Sequence, residues 1–313
     1  MRRLTRIVKT IVVPPVRYLQ GRRRAAELER QMVAVGRDAL ASALGKLPIA
    51  RDSVVLVHSS LKSLGFVEGG AQSVVEALHE QLVVAGGSTV LVPTYSIDGN
   101  MYTTLKSGRT FDVRETSSNL GAIPEAFRRH PRALRSVHPS HSFAAIGSKA
   151  DWLTANHHLA GSNFGLGTPM GRLLETQSYL LGLGSDIGHV TFYHCLEDIE
   201  KFPLNVYADD GPFAVVCVDR GGVAHRLLLP AHAPGGEFKV HRIDDPRSVA
   251  LRALFLRWLE RYADLTWHNI GQARCWLVDA RKMYREIKNL MGKNITVYTS
   301  QKDAEEFMRA NLS

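Results

Sequence analysis

Three side chains that could carry out acid–base chemistry, Thr191, His194 and Glu197, are spaced three residues apart. They follow the apolar run Tyr179–Leu183, which predicts a buried strand that ends at the glycines and Asp186. A helix beginning near Thr191 would bring all three to one face, because residues three apart on a helix are neighbours. Ligands bind at the carboxyl ends of strands in open α/β sheets. The pattern therefore predicts a general base with a carboxylate partner, since a histidine beside a carboxylate suits that role.

A second polar segment, His58-Ser59-Ser60-Leu61, directly follows the apolar run that begins at Ser53. Backbone N–H groups and hydroxyls at the turn after a strand suit phosphate oxygens. The segment predicts a phosphate contact, but the alternative of an ordinary polar loop stays open because many such loops contain serine and glycine.

A third segment, Ser136–Ser142, is dense in histidine and serine, and His138 and His141 could form half of a metal site. No HExxH pattern or cysteine pair supports that reading, so a loop that shapes a substrate pocket and no metal is the preferred interpretation. Cys195 could be proposed as a nucleophile, but it points about 100° away from His194 on a helix and is predicted to be packed and inert.

The pattern of apolar residues predicts an α/β protein. Strands are expected at 53–58, 88–93, 142–147, 179–183 and 273–279, a hairpin at 213–218 and 225–229, and a last short strand at 296–299 followed by a polar tail. Helices are expected at 25–44, 71–84, 119–130, 246–263 and 280–291, and a long irregular loop at 95–119. Thr168 and Pro169 are typical of a helix start, at the N-cap and the first helical position.

The positive charge is concentrated at one end of the chain. Nine basic and two acidic residues lie within residues 1–30, so only +2 of the net charge of +9 belongs to the remainder. This predicts a basic arm at 1–30 and one domain at 31–313, with no nucleic-acid partner. The arm is expected to be a solvated extension or, through residues 1–24, a peripheral contact with an anionic membrane. Three scattered cysteines, no signal-peptide pattern and no spanning segment predict a cytoplasmic location.

Taken together, the motifs resemble one family, the aminoglycoside 3-N-acetyltransferases. The matching stretches, in the family's order, are 58–65 with Gly69-Gly70, 89–94, 115–125, 135–147, 167–171, 180–184, Thr191 to His194 with Glu197, and 278–280. The resemblance implies a single α/β domain with a largely parallel central sheet flanked by helices, unlike the common N-acetyltransferase fold. It also implies acetyl transfer from acetyl-CoA to an amine.

The resemblance further implies roles for particular residues. His194 would be the general base, with Glu197 and Thr191 as catalytic partners and direct transfer in a ternary complex. The residues expected to contact CoA are His58, Ser59, Ser60, Leu61, Ser63, Thr94, Thr168, Pro169, Met170 and Gly171. The residues expected at the acceptor are Tyr95, Asp98, His138, His141, Asp186 and Glu237.

The acceptor is open at this stage. Aminoglycosides are polycations whose pocket should be rich in carboxylates, yet this chain is basic and residues 201–245 match the family poorly. Further carboxylate candidates are Asp112, Asp209 and Asp210. We retain two candidate acceptors. One is an amino sugar on a nucleotide or lipid carrier, made for a surface polysaccharide, and the other is an aminoglycoside; the first is slightly favoured. A homodimer is also left open. Two other classes compete: a metal-dependent hydrolase built on His138, His141, His189 and His194, and a non-catalytic binding protein of the same fold.

Overall fold

The apolar run after Asp52 forms the central strand of a seven-stranded sheet in the computed structural model, which describes residues 34–235 and 241–312. The strands are β1 (Val54–Ser59), β2 (Thr89–Pro93), β3 (Phe111–Asp112), β4 (Leu134–Arg135), β5 (Phe143–Ile146), β6 (Ser178–Leu183), β7 (Phe213–Val218), β8 (Ala224–Leu229), β9 (Thr266–Ile270) and β10 (Ala273–Asp279). The helices are α1 (Arg37–Gly45), α2 (Gly70–Leu78, continued as a π-helix over His79–Ala85), α3 (Met101–Lys106), α4 (Ala122–Arg128), α5 (Ala150–Thr154), α6 (Cys195–Ile199), α7 (Val249–Tyr262), α8 (Ala280–Met291) and α9 (Gln301–Asn311).

The large sheet has the strand order β4-β5-β2-β1-β6-β10-β9. β1 pairs in parallel with β2 on one side and with β6 on the other, whereas the outer strands join in antiparallel fashion. The predicted α/β class is confirmed, with the parallel pairing concentrated in the three central strands. The next strand in the chain, β2, lies on one side of β1, and the later strand β6 lies on the other side. Because the connections diverge to opposite sides, a crevice forms beyond the carboxyl end of β1.

The sheet has a hydrophobic core on each face. Val54 and Leu56 of β1 pack into the core that also holds α7 and α8, while Val55 and Val57 pack into the core that holds α1 and α2. Both faces are therefore buried, and this explains why β1 is a continuous apolar run rather than an alternating pattern. The polar residues that follow the strand are thereby fixed to rigid elements.

Gly182 of β6 lies directly opposite Trp276 of β10 in the antiparallel ladder. A Cβ atom at position 182 would come within 2.0 Å of the indole Cε2, and the indole Nε1 donates to the Ser185 carbonyl at 2.8 Å. The indole ring is buried and hydrogen-bonded, so displacing it would cost free energy.

Replacing Gly182 with alanine is therefore expected to lower the free energy of unfolding by about 1–3 kcal/mol or more, because overpacking a filled core costs that much. Urea unfolding followed by circular dichroism measures it. Gly292→Ala is the matched control, since its nearest contacts would be ordinary at 3.5 and 3.7 Å. Equal stability of the two variants would contradict this account of the packing.

A smaller sheet, β3-β7-β8, lies beside the large one and has its own apolar cluster with α3. The predicted hairpin is confirmed as β7 and β8, paired from Phe213–Leu229 to Val218–Ala224.

The structure corrects several predicted elements. The segment 296–299 is a turn rather than a strand, and the supposed polar tail contains the helix α9. The strand β9 and the short strand β4 were not predicted, and the loop at 95–119 contains α3 and β3. Some predictions lie outside the described residues. They are part of the helix predicted at 25–44, the basic arm at 1–30 with the domain boundary after it, and the site residue Glu237. Among the described helices, none is both long and apolar enough to cross a membrane.

Candidate active site

A cleft of about 1000 Å³ lies beyond the carboxyl ends of β1, β2 and β6. Its walls come from the loops after these three strands, from the segment before α4 and from residues near positions 232, 242 and 298. The sequence-predicted residues that line it are His58, Ser59, Ser60, Leu61, Ser63, Tyr95, His141, Asp186, Thr191 and His194. The two chief polar motifs of the sequence therefore meet in one place, as the strand-end argument predicted.

His194 ends a single 3-10 turn, Thr191–His194, that leads directly into α6. Its Nδ1 lies 2.9 Å from Oε1 of Glu197, one helical turn further along. The imidazole is 13% exposed and lines the cleft, whereas the Glu197 side chain is fully buried behind it. The arrangement is one that could hold a base, because an Nδ1–H that donates to Glu197 would leave Nε2 able to accept a proton.

Glu197 holds three partners rather than one. Its Oε1 also accepts a hydrogen bond of 2.6 Å from the Tyr298 hydroxyl, and its Oε2 lies 2.9 Å from Nε2 of His232. Burial alone would raise the pKa of Glu197, but the charge and hydrogen bond of His194 and the nearby imidazole of His232 outweigh it and hold that pKa well below the usual range. Glu197 is therefore ionised at neutral pH, as an orienting carboxylate must be.

Thr191 lies at the start of the same turn and receives a hydrogen bond of 3.0 Å on its Oγ1 from the Tyr95 hydroxyl. Tyr95 is buried, and burial raises the pKa of its phenol, which keeps the hydroxyl protonated as a donor. Since Thr191 Oγ1 accepts this bond, its own hydroxyl hydrogen is available for a group in the cleft.

The loop after β1 presents hydroxyl groups to the cleft. Ser63 Oγ donates to Ser60 Oγ at 2.9 Å, and the buried Oγ of Ser59 makes no hydrogen bond within the described part of the chain. Gly184 closes against this loop with φ of +69°, and a Cβ there would lie 2.8 Å from Cβ of Ser63. The loop is therefore tightly packed yet keeps an unsatisfied hydroxyl, which suits an external polar ligand such as phosphate.

Other predicted site residues lie elsewhere. Thr94 and His138 are fully buried and do not line the cleft, and Asp98 is also off its wall. The segment Thr168, Pro169, Met170 and Gly171 is buried as well, and Thr168 Oγ1 accepts from the Gly171 amide at 3.1 Å. The predicted helix start at Thr168 and Pro169 is wrong, because the 3-10 turn Gly171–Leu174 begins later and has Met170 at its N-cap. None of these residues lines the cleft.

The structure does not gather the histidines of the hydrolase alternative. Among the described residues, the side chains that bring ligating atoms within 4.8 Å of one another are His194, Glu197 and His232. One nitrogen of each histidine lies 2.9 Å from a different oxygen of Glu197, and the His194 contact is a hydrogen bond.

His232 and Tyr298 were not singled out from the sequence. They lie 35 and 101 residues beyond Glu197, and neither belongs to a motif. Only the folded chain brings them together with Glu197.

The fold is shared with solved acetyltransferases. It matches the structure "AAC-IIIb binary with CoASH" with a TM-score of 0.69 and 23% identity, covering 84% of this chain and 98% of that one. It matches "AAC-VIa bound to Sisomicin" with a TM-score of 0.66 and 24% identity, covering 83% and 99%. The chain therefore has the fold of these proteins.

The sequence comparisons give the family. The profile named Aminoglycoside 3-N-acetyltransferase matches residues 56–292. Aminoglycoside N(3)-acetyltransferase III of Acinetobacter baumannii is 33% identical over 260 residues, or 78% of this chain and 87% of that protein. The SPbeta prophage-derived aminoglycoside N(3')-acetyltransferase-like protein YokD of Bacillus subtilis is 34% identical over 172 residues, 49% of this chain and 61% of that protein. The chain belongs to the aminoglycoside 3-N-acetyltransferase family, which confirms the predicted enzyme class and acetyl-CoA as its cosubstrate.

Proposed function

We propose that this enzyme transfers an acetyl group from acetyl-CoA to a primary amine of an amino sugar, with His194 as the general base. The observation that carries the proposal is the 2.9 Å hydrogen bond between His194 Nδ1 and buried Glu197, at the wall of the strand-end cleft. This bond fixes the tautomer and the direction of the ring, so Nε2 is presented to the acceptor.

The residues of the site support direct transfer without a covalent enzyme intermediate. An amine in water is largely an ammonium ion, and His194 Nε2 removes a proton so that the nitrogen lone pair becomes available. The Thr191 hydroxyl is a candidate donor to the negative charge that develops on the acyl oxygen. Cys195 is unsuited to nucleophilic attack, because burial raises the pKa of its thiol well above the usual value.

Acetyl-CoA would supply an already activated thioester, and the loop after β1 fits its phosphates. Ser59 offers a buried hydroxyl with no partner among the described residues, while Ser60, Ser63 and Lys62 line the same wall. These groups supply hydrogen bonds and one positive charge for an anion.

The charge of the cleft bears on the acceptor. Of the described lining residues, two carry carboxylates, and both face arginines: Asp244 forms two bonds of 2.8 Å with Arg242, and Asp186 lies 3.5 Å from Arg252. A polycation needs carboxylates that are not already neutralised. This supports an acceptor with few positive charges, such as an amino sugar on a nucleotide or lipid carrier, over a polycationic aminoglycoside.

Calorimetry with acetyl-CoA, followed by a free-thiol assay with a panel of acceptors, tests the proposal. We expect thiol release with a UDP-linked amino sugar that has a free amine, and at least tenfold lower kcat/KM with sisomicin and gentamicin. Turnover of the aminoglycosides alone would overturn the acceptor assignment and leave the acetyltransferase. Acetyl-CoA binding without thiol release from any amine would overturn the proposed reaction.

A further inference from the structure

Glu197 binds two histidines that both line the cleft. His194 Nδ1 lies 2.9 Å from Oε1, and His232 Nε2 lies 2.9 Å from Oε2. The two rings are 5.0 Å apart between centroids, and their side chains are 13% and 10% exposed. One buried carboxylate therefore contacts two imidazoles that line the same cleft, and it is hydrogen-bonded to one of them, His194.

The proposed reaction, on which this inference rests, must move two protons from the amine. The ammonium loses one proton to give the free amine. The nitrogen lone pair then forms the C–N bond, the C–S bond breaks, and its electron pair leaves with sulfur. The amide nitrogen loses a second proton, one proton goes to the thiolate and the other to water. A single imidazole can hold only one of these protons at a time.

We propose that His232 is the second proton acceptor of this site, acting beside His194 on the amine bound in the cleft. Nε2 of His232 lies 2.9 Å from Oε2 of Glu197 but makes no hydrogen bond within residues 34–235 and 241–312. A neutral imidazole in this position keeps one ring nitrogen that can accept a proton.

The backbone holds His232 firmly in place. His232 forms an isolated antiparallel bridge with Tyr207, and the flanking bonds run from Ala208 N to Ala231 O and from Ala233 N to Val206 O, both 2.9 Å long. The ring also packs against Phe164 with centroids 5.8 Å apart. The imidazole is therefore positioned as rigidly as one on a regular strand.

The surroundings keep His232 neutral and able to accept a proton. Burial lowers its pKa, the adjacent carboxylate of Glu197 raises it, and the charges of His194 and Arg242 lower it, with a net lowering. The titratable and charged groups that face His232 are Glu197, His194, His141, Arg242 and Tyr207. A neutral imidazole beside an ionised carboxylate can take up a proton because the carboxylate stabilises the imidazolium that forms.

The variant His232→Gln tests the proposal, because glutamine keeps a polar side chain beside Glu197 but its amide cannot accept a proton at neutral pH. With glucosamine as the acceptor at pH 7, we expect kcat to fall about 10- to 100-fold and KM for acetyl-CoA to stay unchanged. The difference in kcat between the variant and the wild type should become smaller as pH rises, because the amine then loses its first proton in solution. His225→Gln is the matched control, since His225 Nε2 pairs with Asp219 at 2.8 Å away from the cleft.

Hydroxylamine, an acceptor that is neutral at pH 7, separates this role from a structural one. It brings one proton fewer, so His232→Gln should approach wild-type turnover with it, whereas His194→Ala should remain impaired. A loss that is equal for both acceptors and at every pH would overturn the proposal, as would full activity with glucosamine. If His232→Gln does not fold, His232→Ala with added imidazole replaces it, and absence of rescue would count against the role. Full activity of His194→Ala would instead overturn the proposed function.

Discussion

Replacing His194 with alanine should lower kcat about 100- to 10,000-fold, the range that a general base contributes. The loss is expected because the imidazole is the cleft-facing group whose orientation is fixed by the buried carboxylate of Glu197. The affinity for acetyl-CoA should stay within about twofold, since the loop after β1 does not contact this side chain through any described hydrogen bond. Steady-state kinetics and calorimetry of the same preparation measure the two quantities.

The control for this experiment is His225→Ala, which removes a histidine–carboxylate pair of the same 2.8 to 2.9 Å length outside the cleft. It should retain wild-type kcat. If His194→Ala kept full turnover, the base would have to be another group. If it lost acetyl-CoA binding in parallel, the histidine would have a binding role in place of the catalytic one.

The free energy of unfolding should fall steeply between pH 7 and pH 4, because the fold buries neutral histidines. Burial and the nearby charge of His189 lower the pKa of His58 to about 4, and burial lowers the pKa of His138 to about 3. An unfolded histidine titrates near pH 6.5, so below that pH the unfolded chain binds more protons than the folded one. Stability is therefore present above about pH 6.5 and is lost as pH falls, by about 3 kcal/mol for each of these two residues at pH 4.

Urea titrations at pH 7, 5 and 4, followed by circular dichroism, measure this slope. His138→Asn provides the comparison: asparagine can accept the hydrogen bond that the His141 amide donates to Nδ1 at 2.9 Å, but it does not titrate. The variant should lose less stability on acidification than the wild type, by about 3 kcal/mol at pH 4. A free energy of unfolding that does not change with pH would contradict the burial of neutral imidazoles.

The sequence was sufficient to predict the parts of the fold and site that depend on local spacing. The continuous apolar runs of β1, β2 and β6 reflect burial on both faces of a sheet, and each is followed by polar residues that must gather at one edge. The three-residue spacing of His194 and Glu197 placed them on one helical turn, and their hydrogen bond of 2.9 Å follows from it.

The contributions that come from distant parts of the chain could not be predicted. His232 and Tyr298 carry no local signal, because an isolated bridge and a turn have no periodicity. Thr94 and His138 lie beside functional segments in the sequence but point into the core, where Thr94 Oγ1 bonds to the Ser142 carbonyl at 3.1 Å. Motif membership alone does not distinguish a lining residue from one that supports the lining. The helix α9 was missed because seven of its eleven residues are polar or charged and two more are alanine, so its buried face is narrow.

The Glu197 carboxylate that holds the proposed base His194 also accepts a hydrogen bond from Tyr298. The orientation of His194 therefore depends on a segment that lies 101 residues beyond Glu197 in the chain. Tyr298 lies in the turn between α8 and α9, outside both helices. Contacts of this kind are lost through local openings that cost much less free energy than global unfolding. An opening confined to this turn would free the carboxylate of one partner while the sheet and the serine loop stay intact. The enzyme can thus pass through states that are folded and able to bind cosubstrate but are catalytically silent, and substitutions far from the cleft can act by changing the population of those states.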